Sequence, residues 1–216
     1  MKKRAALSVL LAAAVGACSS AAPLLWPDFT QAIQRHAPAV VGVGDAHGVL
    51  GSGFRIQDTR FVATAAHVVR SLQGPPIIRW ASRPWPARVV RIDDDADIAL
   101  LEVDSDAPMP GLALSTRPVL AGQWVIVLGC PFGAAPTATT GIVSALPGAV
   151  LEPAALARRM QLNAAVNPGN SGGPVLGFDG QVIGLANATI PGGYGLGFAV
   201  PVAALAALLS QQPSRP

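Results

Sequence analysis

The chain has 216 residues, of which 51% are hydrophobic and only 12% charged, with 23 Gly and 20 Pro. So many turn formers predict a mostly β fold of one domain, or of two small subdomains sharing one core interface, and exclude a helical bundle. The formal charge of +3 is concentrated at the start: without Lys2, Lys3 and Arg4, 12 Arg face 12 Asp plus Glu. In that remainder no basic run exceeds Arg158-Arg159, so a nucleic-acid partner is not expected.

Residues 1–17 read as a signal peptide, with a basic start, an apolar run from Ala5 to Val15 and then small residues. The run is shorter than the about 20 residues that span a bilayer as a helix. Val15-Gly16-Ala17-Cys18 resembles the bacterial lipobox. That resemblance implies cleavage before Cys18, lipidation of its thiol and membrane contact through the lipid; ordinary secretion is the alternative. Residues 18–35 are expected to form a tether and one short helix, Phe29 to His36, with Asp28 as N-cap. With Cys18 lipidated, Cys130 would have no disulfide partner. A buried inert thiol is expected there rather than a reactive one.

From Pro38 onward, short β segments recur about every ten residues between Gly, Pro and Asp breaks, the spacing of all-β barrels or sandwiches. The first set is 40–43, 51–56, 61–66, 76–80, 87–92 and 98–103. After a break around 104–117 the second is 124–128, 139–143, 160–163, 173–177, 182–186 and 195–200. Residues 36–201 are thus expected to form one domain, with barrel 1 at about 38–105 and barrel 2 at about 118–201. Residues 202–216 would add a C-terminal helix, Val202 to Ser210, and a polar tail.

Three motifs carry chemistry. In Asn167-Pro168-Gly169-Asn170-Ser171-Gly172-Gly173-Pro174, glycines around a serine allow a tight turn that exposes its hydroxyl and backbone N–H groups. Thr64-Ala65-Ala66-His67-Val68-Val69 supplies a base. Asp97 opens the apolar run Ile98–Val103, where it could accept the Nδ1–H of a histidine. The neighbouring Asp93, Asp94 and Asp95 read as a solvated acidic turn.

Chain order then discriminates. Gly169-Asn170-Ser171-Gly172-Gly173 also fits the elbow of α/β-hydrolases, but that fold places its histidine after the serine. His36, His47 and His67 all precede Ser171. Asp45 and Asp58 precede His67 as the subtilisin order requires, but the β-rich pattern disagrees with that α/β fold. His67, Asp97, Ser171 is the chymotrypsin order.

At these motifs the chain resembles the HtrA/Deg family of trypsin-like serine proteases, from about Val40 to Pro201. The matching segments include Gly51-Ser52-Gly53-Phe54, Thr64–Val69, Asp97–Val103, Pro131-Phe132-Gly133, Thr140–Ser144, Asn163–Pro174 and Gly197–Pro201. The resemblance implies an all-β fold of two six-stranded antiparallel barrels, with short N- and C-terminal helices and His67, Asp97 and Ser171 in the cleft as catalytic residues. It implies an oxyanion hole at Gly169 and Ser171, with Asn170 holding the loop. The chain departs from the family in one expected respect, a protease domain without a PDZ domain. The substrate pocket would be lined by Ala165 and Val166 before the serine and by Leu196 and Gly197 within Tyr194–Phe198. Neither segment has an acidic side chain, so small or medium aliphatic P1 residues are expected.

The resulting expectation is a serine endopeptidase that hydrolyses exported, unfolded polypeptides at the periplasmic or cell-surface side of a membrane. Its lipid anchor would lie in the outer membrane where there are two. No cofactor or metal is expected, and no residue pattern defines an oligomer. Two competing readings are a catalytically silent binding module with the protease fold, and a protease whose loops 148–159 and 187–194 must order before it acts.

Overall fold

The computed structural model describes residues 27–104, 106–131, 135–149, 156–189 and 195–211. The signal peptide, Cys18, Phe132, Gly133 and Tyr194 lie outside the described residues. Twelve strands close into two six-stranded antiparallel barrels. Barrel 1 contains β1 (Val40–Asp45), β2 (Gly48–Arg55), β3 (Phe61–Thr64), β4 (Ile77–Trp80), β5 (Arg83–Asp93) and β6 (Ile98–Val103), in the order β1-β2-β3-β6-β5-β4. Barrel 2 contains β7 (Trp124–Gly129), β8 (Thr137–Ala145), β9 (Met160–Leu162), β10 (Pro174–Gly177), β11 (Val182–Thr189) and β12 (Gly197–Pro201), in the order β10-β11-β12-β9-β8-β7. Among the described residues the α-helices are α1 (Thr30–His36), α2 (Ala66–Arg70) and α3 (Val202–Ser210), with a 3-10 turn at Ala37–Ala39.

Branched aliphatic side chains explain why these segments pair. β1 and β6 are buried along their whole length, as befits strands packed on both faces. Val62 pairs with Leu101 and Val43 with Ile78, and Phe54, Leu100 and Leu101 are fully enclosed. One apolar cluster runs from barrel 1 through Ile126, Leu128, Leu185 and Val200 to Leu205 and Leu208 of α3. A second fills barrel 2 around Val125, Val143, Met160, Leu162 and Val175. Truncating any of these side chains to Ala costs about 2–5 kcal/mol, through lost burial plus the cavity left behind. The two barrels are therefore welded by shared core, and the loops between them sit on a rigid frame.

Two local expectations change. Asp28 does not cap α1: its Oδ1 accepts from Thr30 N at 2.8 Å in a turn, and Phe29 occupies the N-cap position without a side-chain cap. The helix is held from outside instead, by the Phe29 ring against Trp124 (5.8 Å) and Phe178 (6.1 Å). The strand expected over 61–66 stops at Thr64, and Ala66 begins α2. The run Ala-Ala-His-Val-Val suits either state, and pairing settles it: β6 supplies partners only for Phe61 to Thr64.

Candidate active site

His67 lies in the first turn of α2, whose Ala66, Val68 and Val69 are buried. The helix thereby anchors by its apolar residues and leaves the imidazole accessible, with the side chain 48% exposed. The Ser71 hydroxyl donates to the His67 carbonyl at 2.7 Å and closes the helix end.

Asp97 immediately precedes β6 and adopts φ +57°. Aspartate is one of the few non-glycine residues that enter this left-handed region at modest cost. The conformation lets one carboxylate meet His67 twice. Asp97 Oδ1 accepts the His67 backbone N–H at 2.8 Å, and Oδ2 lies 2.7 Å from His67 Nδ1. Asn187 Nδ2, from β11, donates to the same Oδ2. Burial alone would raise the Asp97 pKa, but the hydrogen bonds and charge of His67, helped by Asn187, hold it below the ordinary carboxylate range. Asp97 is thus fitted to stay ionised and to fix Nδ1 as the protonated nitrogen, which leaves Nε2 free to accept a proton.

Ser171 sits in the turn between β9 and β10, bracketed by Gly169 at φ +93° and Gly172 at φ +89°. A Cβ on Gly172 would stand 2.2 Å from the Ser52 carbonyl oxygen, so only glycine fits. The turn is tied by Asn170 N to Asn167 O and Gly173 N to Asn170 O, each 2.9 Å. Asn170 is buried, and its side chain packs over Gly129. Among the described residues, neither Gly169 N–H nor Ser171 N–H donates to a protein acceptor. The Ser171 hydroxyl donates to the main-chain carbonyl of Asn187 at 3.1 Å.

The expected pocket residues separate by burial. Val166 is buried in the core of barrel 2, while Ala165 is exposed and its carbonyl accepts from the Thr139 hydroxyl at 2.7 Å. Gly197 is buried against Val166, a Cβ there meeting Val166 Cγ2 at 2.8 Å; Leu196 is half-buried. In the acidic turn, Asp94 pairs with Arg70 at 2.7 Å on the surface and Asp93 Oδ1 accepts from Ala96 N at 2.9 Å. Cys130 is buried, and burial pushes its thiol pKa up.

The sequence reading missed three contributors. Asn187 reaches Asp97 from 90 positions away. Ser52 contacts the serine turn from 117 positions away. Arg159 is 7% exposed, and burial lowers its pKa while the charges of Asp97 and Asp93 oppose that shift. Ser52 between two glycines and Asn187 between two alanines offer no periodic signal; only the closed barrels bring these two side chains to the site.

The family model described as Trypsin-like peptidase domain matches residues 51–185. The chain belongs to the trypsin-like peptidases, on their HtrA/Deg-like branch. Among curated relatives it is similar to a probable periplasmic serine endoprotease DegP-like of Halomonas elongata, with 33% identity covering 94% of this chain and 53% of the relative. It is 38% identical to the periplasmic pH-dependent serine endoprotease DegQ of Escherichia coli, covering 76% of this chain and 37% of that one. The chain therefore spans about half or less of the length of these relatives. The crystal structure of the serine endoprotease from Yersinia pestis superposes with a TM-score of 0.73 at 28% identity, covering 86% of this chain and 66% of that one.

Proposed function

We propose that this trypsin-like domain is a serine endopeptidase in which Ser171 is the nucleophile, His67 the general base and acid, and Asp97 the group that orients and charges-balances the imidazole. The observation that carries the reading is the Asp97–His67 pair, Nδ1 to Oδ2 at 2.7 Å with a second bond to the His67 backbone. Asn187 links that pair to Ser171, its amide donating to Asp97 Oδ2 and its carbonyl accepting the Ser171 hydroxyl.

In this reading His67 Nε2 takes the Ser171 proton as Oγ bonds to the substrate carbonyl carbon. The carbonyl π electrons move to oxygen, and the resulting oxyanion accepts from Gly169 N–H and Ser171 N–H, with Asn170 holding the loop. His67 then protonates the leaving amine as the C–N bond breaks. Water, deprotonated by the same nitrogen, attacks the acyl-enzyme and releases Ser171 with its proton restored. Asp97 stays ionised throughout.

The small apolar surroundings of Ala165, Val166, Leu196 and Gly197 favour cleavage after Val, Ala or Leu. The periplasmic character of the Halomonas elongata and Escherichia coli relatives supports an exported, periplasmic setting. Exported unfolded polypeptides are the proposed substrates, and lipidation of Cys18 the proposed anchor. Among the described residues no helix is long and apolar enough to cross a membrane. Digestion of unfolded casein, with products mapped by mass spectrometry, tests the reading. Cleavage after small and medium aliphatic residues is expected; cleavage mainly after Lys or Arg, or none, contradicts it.

One observation favours a second reading, in which the resting enzyme is held back. The single proton of the Ser171 hydroxyl goes to Asn187 O and so cannot simultaneously be given to His67. Activity rising more steeply than hyperbolically with substrate concentration would support it; a simple hyperbola would count against it.

A further inference from the structure

We propose that Ser52, a barrel 1 residue outside the triad, is a positioning residue that sets the oxyanion donors relative to the catalytic base. Ser52 lies in β2 and is fully buried. Its hydroxyl donates to Gly169 O at 2.6 Å and accepts from Cys130 N at 2.7 Å. Its backbone N–H donates to Ser171 O at 2.8 Å. Its carbonyl accepts from the Thr64 hydroxyl at 2.7 Å. Every polar atom of Ser52 is therefore engaged, and two of its four bonds end on Gly169 and Ser171, the two residues whose N–H groups are unspent.

The arrangement has a physical consequence. Gly169 has no Cβ to restrict its rotation, and at φ +93° its flanking peptides could turn its N–H away from the serine. Anchoring its carbonyl holds the Gly169–Asn170 peptide in place, so the N–H on the preceding peptide can turn only through the Gly169 φ and ψ. The Cys130 N–H occupies a lone pair of the Ser52 oxygen, which leaves the hydroxyl proton directed at Gly169. Thr64, tied to the Ser52 carbonyl, stands three residues before His67 on the same β3–α2 segment. The oxyanion turn belongs to barrel 2 and the base to barrel 1. Ser52 bonds to the turn and to Thr64 of the segment that carries His67, so it ties the spacing between donors and base on which a tetrahedral intermediate depends. It touches neither substrate nor reacting atoms.

This inference rests on the proposed acyl-transfer reading. The test compares the wild-type chain, Ser52→Ala and Ser52→Cys, each first shown to be folded by circular dichroism, on an aliphatic-P1 peptide substrate. Affinity for a peptidyl trifluoromethyl ketone is measured alongside, because its hemiketal oxyanion needs the same donors. Ser52→Ala is expected to lose about 10–10² in kcat with KM within about twofold, and to lose ketone affinity by a similar factor. The thiol of Ser52→Cys hydrogen-bonds more weakly than a hydroxyl, so its loss falls between those of Ala and wild type. Should Ser52→Ala not fold, the near-isosteric Cys variant carries the test, with about 3–10-fold lost from kcat. Wild-type kcat in either folded variant, or a loss confined to KM, overturns the inference. A wild-type chain that hydrolyses nothing and resists fluorophosphonate labelling refutes the acyl-transfer reading itself, before the Ser52 variants are compared.

Discussion

The main-chain carbonyl of Asn187 accepts the Ser171 hydroxyl at 3.1 Å, while the side-chain amide of the same residue donates to Asp97 Oδ2. One residue of β11 thus touches both the acidic member and the nucleophile of the proposed triad. The two contacts have opposite consequences. The amide supports the carboxylate charge that His67 needs, whereas the carbonyl holds the serine proton away from the base.

Asn187→Ala separates these effects, because it removes the amide and keeps the carbonyl. A hydrogen bond to a charged group contributes about 1.5–3 kcal/mol. We therefore expect kcat/KM to fall about 10–10²-fold, with the fold retained. Steady-state hydrolysis of a peptide ester and of a peptide amide checks this. Unchanged kinetics would show that Asp97 needs only His67.

Asp97→Asn tests the carboxylate without straining the backbone, since Asn also tolerates the φ of +57° found at this position. The amide can no longer balance an imidazolium and favours the wrong tautomer of His67. Loss of about 10⁴ in kcat is the expected scale, with a thermal midpoint within a few degrees of wild type. Single-turnover acylation measures it; a loss under tenfold would remove Asp97 from its assigned role.

Acidification should weaken the fold through two carboxylates held ionised by their hydrogen bonds. Asp45 is held below the ordinary carboxylate range by backbone N–H bonds from Gln73 (2.7 Å) and His47 (2.8 Å), and Asp97 by His67 and Asn187. A carboxyl whose folded pKa is depressed contributes stability above its unfolded value, about 3.9, and loses it as pH falls through the folded value. Urea midpoints should therefore hold from about pH 7 to 5 and drop below about pH 4. The drop should be shallower in Asp45→Asn.

Gly172→Ala should destabilise the domain as well as silence it. The new Cβ would meet Ser52 O at 2.2 Å and the Thr64 hydroxyl at 2.5 Å, at a φ of +89° that L side chains rarely adopt. Strain and overpacking together cost about 2–5 kcal/mol. Equilibrium urea unfolding reads this directly, and an unchanged midpoint would mean the turn is looser than described.

The two barrels were legible in the sequence because their strands are short, rich in Val, Ile and Leu, and cut by Gly, Pro and Asp at nearly regular intervals. Val40–Val43 and Ile98–Val103 needed no long-range information to be read as strands, and β1 runs on to Asp45. The three motif residues stood out for another reason: His67 and Ser171 sit beside small residues, Asp97 abuts the apolar run Ile98–Val103, and their chain order argues against competing folds. Other features depend on contacts that no local window contains. The left-handed turn at Asp97 and the helix at Ala66 follow from where β3 and β6 stop pairing. Asn187 and Ser52 gain their contacts only when barrel closure brings residues 90 and 117 positions apart together.

Fluorophosphonate labelling of wild type and Ser171→Ala, read by intact mass and paired with casein cleavage, is the most direct measurement of the nucleophile. One adduct on Ser171 and casein cleavage in the wild type, with neither in Ser171→Ala, is the predicted result. Equal cleavage by the two proteins would contradict the assignment.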